Sequence, residues 1–327
     1  MDISVIVPIY GVEKYIDKSL RSLFSQTKTE GVEFILVNDC TKDRSIEIAR
    51  EVIKDFPHCT IRLIEHEVNS GVAAARQTGM DAATGEYTIH FDPDDWCEPE
   101  MLEELYAKAK EDDADLVVCD YYDNYTSGEY YRAQNPPYNN FEFIKKSYSN
   151  AIGLVLFNKL IKRGFLMLNK INFIEGIDLG EDALVCVKSL SYTESFVYLP
   201  KAYYHYFHRN GSMTQVRNEA SIEKSLKYIK ELERFIISHN ITNELGDFLT
   251  ENKMIVKLGA LQHSGRAKQK EYSKLYPEIT TLITHANYPR LIWRLALYCA
   301  STGHLYMYNF ISFSIKALRK LRNYISK

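Results

Sequence analysis

The sequence predicts an α/β fold with a doubly wound, mainly parallel sheet, helices on both faces of the sheet, and a C-terminal helical extension. Apolar runs alternate with helical patterns over about the first 120 residues, and short strand–helix–strand crossovers of this kind build parallel sheets. The runs are apolar at almost every position, as in strands that are buried on both faces. After Arg217 the chain is mainly helical in pattern.

The predicted elements follow one another in a regular order. Because ligands bind beyond the carboxyl ends of parallel strands, Tyr10, Asp39 and Asp92 are expected to face one crevice. Ser45 is a candidate N-cap of the second helix. Strands are predicted over residues 3–10, 32–40, 60–67, 85–96 and 114–125, and helices over residues 12–26, 45–56, 71–83 and 99–112.

Length and composition narrow the class of protein. The 327 residues are long enough for two domains, which we place at residues 1–215 and 216–327. The formal net charge of -3 gives no indication of a nucleic-acid partner. The 6 cysteines form no CxxC pair, and the N-terminus enters a strand without a charged leader, so we expect a cytoplasmic protein. No apolar run approaches the roughly 20 residues that span a bilayer.

The strongest chemical motif is the acidic run FDPDDW, residues 91–96. Asp92, Asp94 and Asp95 follow a buried strand, and carboxylates this close repel one another unless a cation neutralises them. Hard oxygen ligands favour Mg²⁺ or Mn²⁺, which would clamp a diphosphate. The alternative is a solvated acidic turn in front of a helix.

Further motifs surround this run in the predicted crevice. Asp39 ends a strand and either accepts a hydrogen bond from a ligand or closes an Asx turn. Arg76 reaches a phosphate or the acidic loop, or is an ordinary surface arginine. Glu181 and Asp182 precede a helical pattern, either as a general base or as acids favoured by the helix dipole. A basic loop over residues 203–214 could cover a diphosphate, although its histidines also suit structural hydrogen bonds.

In order and spacing, these motifs resemble the family 2 inverting glycosyltransferases, which have a GT-A fold. The matching pieces are ISVIVPIYG, VNDCTKDRS, NSGVAAARQTG, GEY followed by FDPDDW, FNKLIKR, GED and HRNGSMT. The resemblance covers roughly residues 1–215, and the combined set is specific although each piece alone is not. Cys40 departs from the usual glycine, Asn38 from the common aspartate and Gly11 from the common asparagine.

The resemblance implies roles for the donor-binding residues. Pro8, Tyr10 and Glu13 would surround the nucleotide base and ribose, and Asp39 would bind the base, typically uracil. Arg76 would support the base and phosphate pocket.

It also implies roles at the reacting centre. Asp94 would be the direct ligand of a divalent Mn²⁺ or Mg²⁺ ion, with Asp92 toward the ribose or a metal-bound water, and Asp95 would face the donor sugar. Asp182 would be the catalytic base, with Glu181 beside it on the acceptor side. The segment over residues 157–163 would lie beside the acceptor pocket, and the diphosphate would be closed over by His208 and Arg209.

The predicted function is therefore sugar transfer from a nucleotide diphosphate donor, with uridine diphosphate favoured, to a hydroxyl of a glycan or lipid-linked glycan. Surface polysaccharide biosynthesis is the setting that the family resemblance implies. Two alternatives are a sugar-phosphate nucleotidyltransferase and a non-catalytic nucleotide-sugar-binding module. The segment PIYGVEKY has one glycine, which disfavours the phosphate loop of a nucleotidyltransferase.

The last 49 residues, Ile279 to Lys327, differ from the rest in composition. They contain seven basic residues, no Asp or Glu, and many aromatic residues. This composition predicts docking at the cytoplasmic face of an anionic membrane. A helical cap over the catalytic domain and a homodimer contact are the alternatives.

Overall fold

The structure is a computed structural model that describes residues 1–147, 153–209, 218–283 and 291–325, with side chains up to residue 315. The chain divides into two compact units, Met1–Ser212 and Met213–Lys327. The first unit is α/β and the second is helical among the described residues.

The first unit contains nine strands and seven helices within its described residues. The strands are β1 (Ile3–Ile9), β2 (Val32–Asn38), β3 (Thr60–Glu65), β4 (Tyr87–His90), β5 (Trp96–Cys97), β6 (Leu116–Tyr125), β7 (Gly128–Arg132), β8 (Lys159–Lys162) and β9 (Phe196–Phe207). The helices are α1 (Ile16–Phe24), α2 (Ser45–Asp55), α3 (Val72–Ala82), α4 (Met101–Glu111), α5 (Asn140–Lys146), α6 (Arg163–Leu168) and α7 (Glu181–Tyr192).

The strands form one sheet in the order β3-β2-β1-β4-β8-β6-β9-β5, with β7 paired to β6. Strands β1 to β4 are parallel neighbours, and β6 is parallel to β9. The predicted mainly parallel α/β sheet is therefore confirmed. The antiparallel pairs are β4 with β8, β6 with β8, β6 with β7, and β5 with β9.

The parallel half of the sheet sets the position of the crevice. Every residue of β1 is buried, as expected of a central strand with helices on both sides. Register pairs Ile9 with Asn38 and Ile6 with His90, so β1, β2 and β4 end at one edge of the sheet. The polar residues that directly follow these strands therefore lie at the same edge of the sheet.

Ser45 is not the N-cap of α2, contrary to the sequence-based prediction. The cap position is Arg44, and no side chain caps this helix. The Ser45 hydroxyl instead donates to Asp43 Oδ1 at 2.6 Å and accepts from the Val12 backbone N–H at 3.0 Å. The serine therefore ties the start of α2 to the loop after β1.

The second unit contains the helices α8 (Glu219–Ser238), α9 (Thr242–His263), α10 (Arg266–Tyr272), α11 (Leu291–Ser301) and α12 (Leu305–Ile325) among its described residues. Asn218 caps α8, accepting from Ser221 N while the Ser221 hydroxyl accepts from Asn218 N. A separate apolar core gathers residues of α8 to α12. Among the residues described, no helix is both long enough and apolar enough to cross a membrane.

A buried carboxylate, Glu33 of β2, joins β1, β3 and the loop before β4. It accepts from the Ser4 hydroxyl, the Thr84 N–H and the Thr84 hydroxyl, each at 2.7 Å, and from Arg62 at 3.3 Å. Burial disfavours the charged form, but these donors outweigh it and lower the pKa of Glu33 below its usual 4.5.

We expect Glu33→Gln to lower the free energy of unfolding by about 1–3 kcal/mol at neutral pH, because an amide N–H₂ would face the Thr84 donors. A carboxylate with a depressed folded pKa stabilises fully above its unfolded value, here 4.5, and loses this stabilisation as pH falls through the folded value. Urea unfolding at a series of pH values should show that the difference in the free energy of unfolding between variant and wild type becomes smaller in acid. The exposed Glu30→Gln is the control, and a difference that stays constant in acid would contradict the prediction.

Candidate active site

The acidic loop between β4 and β5 is held by strand β9. The Tyr204 hydroxyl donates to Asp95 Oδ2 at 2.7 Å and accepts from the Asp92 N–H at 3.1 Å, and the Phe207 N–H donates to Asp95 Oδ1 at 2.7 Å. Burial, followed by the Asp94 and Asp92 charges, raises the pKa of Asp95 well above its usual range. Both oxygens of Asp95 thus bond within the protein, and its expected contact with a donor sugar stays a prediction.

Asp94 pairs with an arginine from the segment after β9. Arg209 Nε lies 2.5 Å from Asp94 Oδ2, and its guanidinium lies 5.3 Å from the ring centre of Tyr15. Burial and the neighbouring Asp92 charge raise the pKa of Asp94, and Arg209 opposes this rise. The basic loop predicted from sequence therefore reaches the acidic loop through Arg209.

Arg76 of α3 is the centre of the acidic cluster. Its Nη2 donates to Asp92 Oδ1 at 2.7 Å, and its Nη1 donates to Glu181 Oε1 at 2.9 Å and to Asp182 Oδ1. The side chain is only 4% exposed. Burial disfavours the charged guanidinium, but the Asp92 and Glu181 charges outweigh it and raise the pKa of Arg76. One guanidinium therefore joins the acidic loop to the GED motif, so the surface-arginine alternative is wrong.

The GED motif opens helix α7. Gly180 takes the N-cap position with a φ of 90°, a left-handed conformation that suits glycine, and Glu181 and Asp182 fill the first turn. The helix dipole favours negative charge at this end. Burial raises the pKa of Glu181, and Arg76 opposes the rise. Asp182 is less buried than Glu181, with 20% against 12% of the side chain exposed, so it is the more accessible of the two carboxylates.

Asp39 follows β2 and supports the start of α3. Its Oδ1 accepts from the Ser70 N–H at 2.8 Å, its Oδ2 accepts from the Gly71 N–H at 2.9 Å, and His66 Nδ1 lies 2.9 Å from Oδ1. The residue is 3% exposed. Asp39 therefore fixes the loop in front of α3 through backbone donors, and base binding by its carboxylate stays a prediction.

Gly71 brings this loop against the segment before α7. It has a φ of 92°, and a Cβ placed on it would lie 2.2 Å from Asp178 Oδ1. Asp178 Oδ1 also accepts from the Ala73 N–H at 3.3 Å, in the first turn of α3. The backbone at Gly71 thus approaches an aspartate of the same chain closely.

The remaining donor-site candidates lie around the end of β1. Pro8 is buried within the strand, whereas Tyr10 is half exposed. The Glu13 carboxylate accepts from the Arg44 N–H at 3.2 Å. Cys40, in the next loop, has a φ of 55°, so it adopts the left-handed conformation that suits the glycine usual at this position.

The side-chain partners of His208 lie outside the acidic loop. Its Nε2 lies 2.7 Å from Asp123 Oδ1, and its ring stacks on Tyr125 with 4.1 Å between ring centres. Arg132 also pairs with Asp123. His208 is therefore held by residues of β6, and closure over a diphosphate stays a prediction for it.

The site contains two groups of ion pairs: Arg76 pairs with Asp92, Glu181 and Asp182, and Arg209 pairs with Asp94. Asp39 contacts the loop in front of α3, the helix that carries Arg76. Among the described residues, no three His, Cys, Asp or Glu side chains are arranged as a metal site.

Sequence reasoning missed three supporting residues: Tyr204, Asp178 and His66. Tyr204 lies in the segment over residues 203–214 that the sequence assigned to a basic loop, whereas the structure places residues 203–207 in β9. Asp178 precedes the GED motif by two residues, which is the one sequence signal that could have found it. His66 follows β3, and its Nε2 lies 2.9 Å from the Thr78 hydroxyl.

Sequence comparison relates this chain to known glycosyltransferases. The sequence model of "Glycosyl transferase family 2" matches residues 4–167. Glycosyltransferase GlyA of Streptococcus pneumoniae is 35% identical over 229 residues, which cover 66% of this chain and 32% of GlyA. The minor teichoic acid biosynthesis protein GgaB of Bacillus subtilis is 28% identical over 63% of this chain and 23% of its own length. This chain therefore spans a third or less of these two relatives.

A solved structure extends the likeness to the fold. The crystal structure of S. aureus TarS 1-349 in complex with UDP has a TM-score of 0.68, covering 97% of this chain and 92% of that one. The sequence identity is 21%, so this likeness concerns the fold.

Removal of the Tyr204 hydroxyl should loosen the acidic loop. Tyr204→Phe leaves the Asp92 N–H and one Asp95 oxygen without their partner, so we expect unfolding free energy to fall by about 1–3 kcal/mol. Hydrogen exchange measured by mass spectrometry should also accelerate over residues 91–97.

The matched control is Tyr87→Phe, which removes a buried hydroxyl that donates to the Ala114 carbonyl at 3.0 Å. It should destabilise the protein without faster exchange at the acidic loop. Equal exchange over residues 91–97 in the two variants would show that Tyr204 does not hold this loop.

Proposed function

We propose that this chain, which belongs to glycosyl transferase family 2, moves a sugar from a nucleotide diphosphate to a hydroxyl of a carbohydrate acceptor with inversion at the anomeric carbon. It is a glycosyltransferase with a GT-A fold. The observation that carries the proposal is the Arg76 guanidinium, which contacts Asp92 on one side and Glu181 and Asp182 on the other. Family membership disfavours both a nucleotidyltransferase and a non-catalytic module.

Asp182 is the proposed general base. Its carboxylate takes the proton from the acceptor hydroxyl while the hydroxyl oxygen forms a bond to C1 of the donor sugar. The bond from C1 to the diphosphate oxygen breaks on the opposite face, and its electron pair leaves with the nucleotide diphosphate. Arg76 and the first turn of α7 orient Asp182. Glu181 beside it would face the acceptor.

Arg209 is the proposed cation for the leaving group. It pairs with Asp94 in the structure, so its guanidinium already lies at the acidic loop where a diphosphate would bind. Arginine pairs with phosphate oxygens through two parallel hydrogen bonds, which stabilises the charge as the leaving group departs. His208 would approach the diphosphate from the same segment.

The nucleotide is proposed to be a uridine diphosphate. Asp39 uses three acceptor positions on its own chain, and a carboxylate offers about four, so one position is left for a base N–H. Pro8, Tyr10 and Glu13 surround the neighbouring strand end and would contact the base and ribose. S. aureus TarS, which shares the fold, was crystallised with UDP.

The carboxylate oxygens of the acidic loop suit a divalent cation. Asp92 and Asp94 are hard oxygen ligands. Burial, followed by repulsion from Asp92, raises the pKa of Asp94, and a nearby cation would oppose this rise. Asp94, with Asp92, would hold Mn²⁺ or Mg²⁺, which supplies charge neutralisation at a diphosphate.

Surface polysaccharide assembly is the proposed setting, with a glycan or lipid-linked glycan as acceptor. GgaB, a similar protein, is named for teichoic acid biosynthesis, which supports this setting. A hydrolysis screen over nucleotide sugars would identify the donor.

The base assignment is tested with Asp182→Asn. The amide keeps the shape of the side chain but cannot take a proton, so transfer should fall by roughly 10²–10⁴-fold. Binding of the nucleotide, measured by isothermal titration calorimetry, should persist.

The control is Asp113→Asn, which changes an aspartate that is 86% exposed and pairs with Lys162 outside the site. It should retain full transfer. If Asp182→Asn is as active as Asp113→Asn, another residue is the base.

The metal assignment is tested with Asp94→Asn. Loss of one carboxylate ligand should weaken Mn²⁺ binding by at least about tenfold, as followed by electron paramagnetic resonance. Asp113→Asn again serves as the control. Unchanged Mn²⁺ affinity in Asp94→Asn would remove this residue from the proposed metal site.

A further inference from the structure

We infer that the outward face of α11 and α12 docks on an anionic lipid bilayer. On α12, Tyr306, Phe310 and Phe313 recur at helical spacing and are 86%, 64% and 72% exposed. Tyr308 and Ile315 of the same helix are buried in the apolar core of the second unit. The described part of α12 therefore carries apolar residues on two faces, of which only one packs inside the protein.

Helix α11 repeats this arrangement. Leu291, Leu295 and Tyr298 are exposed at helical spacing, whereas Trp293 and Leu297 belong to the same buried core. The two helices pack against each other and share this core, so both exposed stripes point away from it. We call these two exposed apolar stripes together the α11–α12 face.

A groove at the edge of the α11–α12 face combines apolar and cationic groups. It encloses about 420 Å³ and is lined by Arg266, Tyr306, Asn309, Phe310 and Phe313. Aromatic rings that carry polar groups favour the boundary between water and lipid. A guanidinium beside them suits the phosphate of a lipid headgroup, which it can bind through two hydrogen bonds.

Charge complementarity decides between possible occupants of this face. Residues 279–327 contain seven basic residues and no acidic residue. A symmetric contact with a second copy would bring together two segments of this basic composition, which disfavours self-association. An anionic bilayer supplies both the opposite charge and a large apolar phase. This inference does not depend on the proposed chemistry of the active site.

The experiment uses the full chain and sedimentation with two kinds of vesicle. One kind is phosphatidylcholine alone, and the other contains one third phosphatidylglycerol. The wild type should sediment with the anionic vesicles, and high salt should release part of it. Phe310→Ser with Phe313→Ser should lower the partition coefficient by about tenfold or more, because two exposed rings lose their apolar burial.

Two further variants separate the causes. Ile237→Ser changes another exposed apolar residue of the second unit, 59% exposed on α8, and should bind vesicles like the wild type. Arg266→Gln should weaken binding to anionic vesicles several-fold, because one cation is lost beside an anionic surface, and should weaken binding to phosphatidylcholine, which has no net charge, by less. Thermal unfolding of each variant verifies that it folds.

Three outcomes would overturn the inference. The first is that the wild type stays in the supernatant with anionic vesicles, and the second is that the double phenylalanine variant sediments as the wild type does. The third is that no vesicle binding is seen and light scattering finds a wild-type dimer that is lost in the double variant. In that case the α11–α12 face binds a second copy of the chain.

Discussion

The buried guanidinium of Arg76 is the interaction on which the arrangement of the candidate site depends. Moving a cation and its carboxylate partners out of water costs several kcal/mol per ion, so the group is stable only while all partners are in place. Arg76 meets this condition with Asp92, Glu181 and Asp182. The acidic loop and the start of α7 lie far apart in sequence, and this one side chain sets their separation.

The sheet topology explains how the acidic loop keeps its shape around Arg76. Strand β9 pairs with β6 and also with β5, so it passes directly beside the loop that connects β4 to β5. Tyr204 and Phe207 of this strand bind Asp95 on both oxygens. Asp95 therefore holds the loop in place, whereas Asp92 and Asp94 are more exposed. A motif with three similar residues thus divides into structural and chemical positions.

Much of the fold was predictable from sequence because it rests on local patterns. Apolar runs such as β1, which is buried throughout, and the helical spacing around Ile16 and Leu20 carry their structure in neighbouring residues. The acidic loop and the GED motif were also visible as clusters. What sequence could not give was the pairing between distant side chains, such as Arg76 with Asp182 or Tyr204 with Asp95. Ser45 is a further example, because its hydroxyl bonds to Asp43 and to the Val12 backbone and does not cap the helix.

The contact between Gly71 and Asp178 has a consequence for how this sequence can vary. No side chain fits at position 71 while an aspartate at position 178 occupies the space above it. A side chain at position 71 would need a shorter residue at 178 and also a backbone that tolerates a φ of 92°. A library that randomises the loop before α3 should therefore keep glycine at position 71, whereas a library of the loop before α7 can admit residues shorter than aspartate at position 178 on steric grounds.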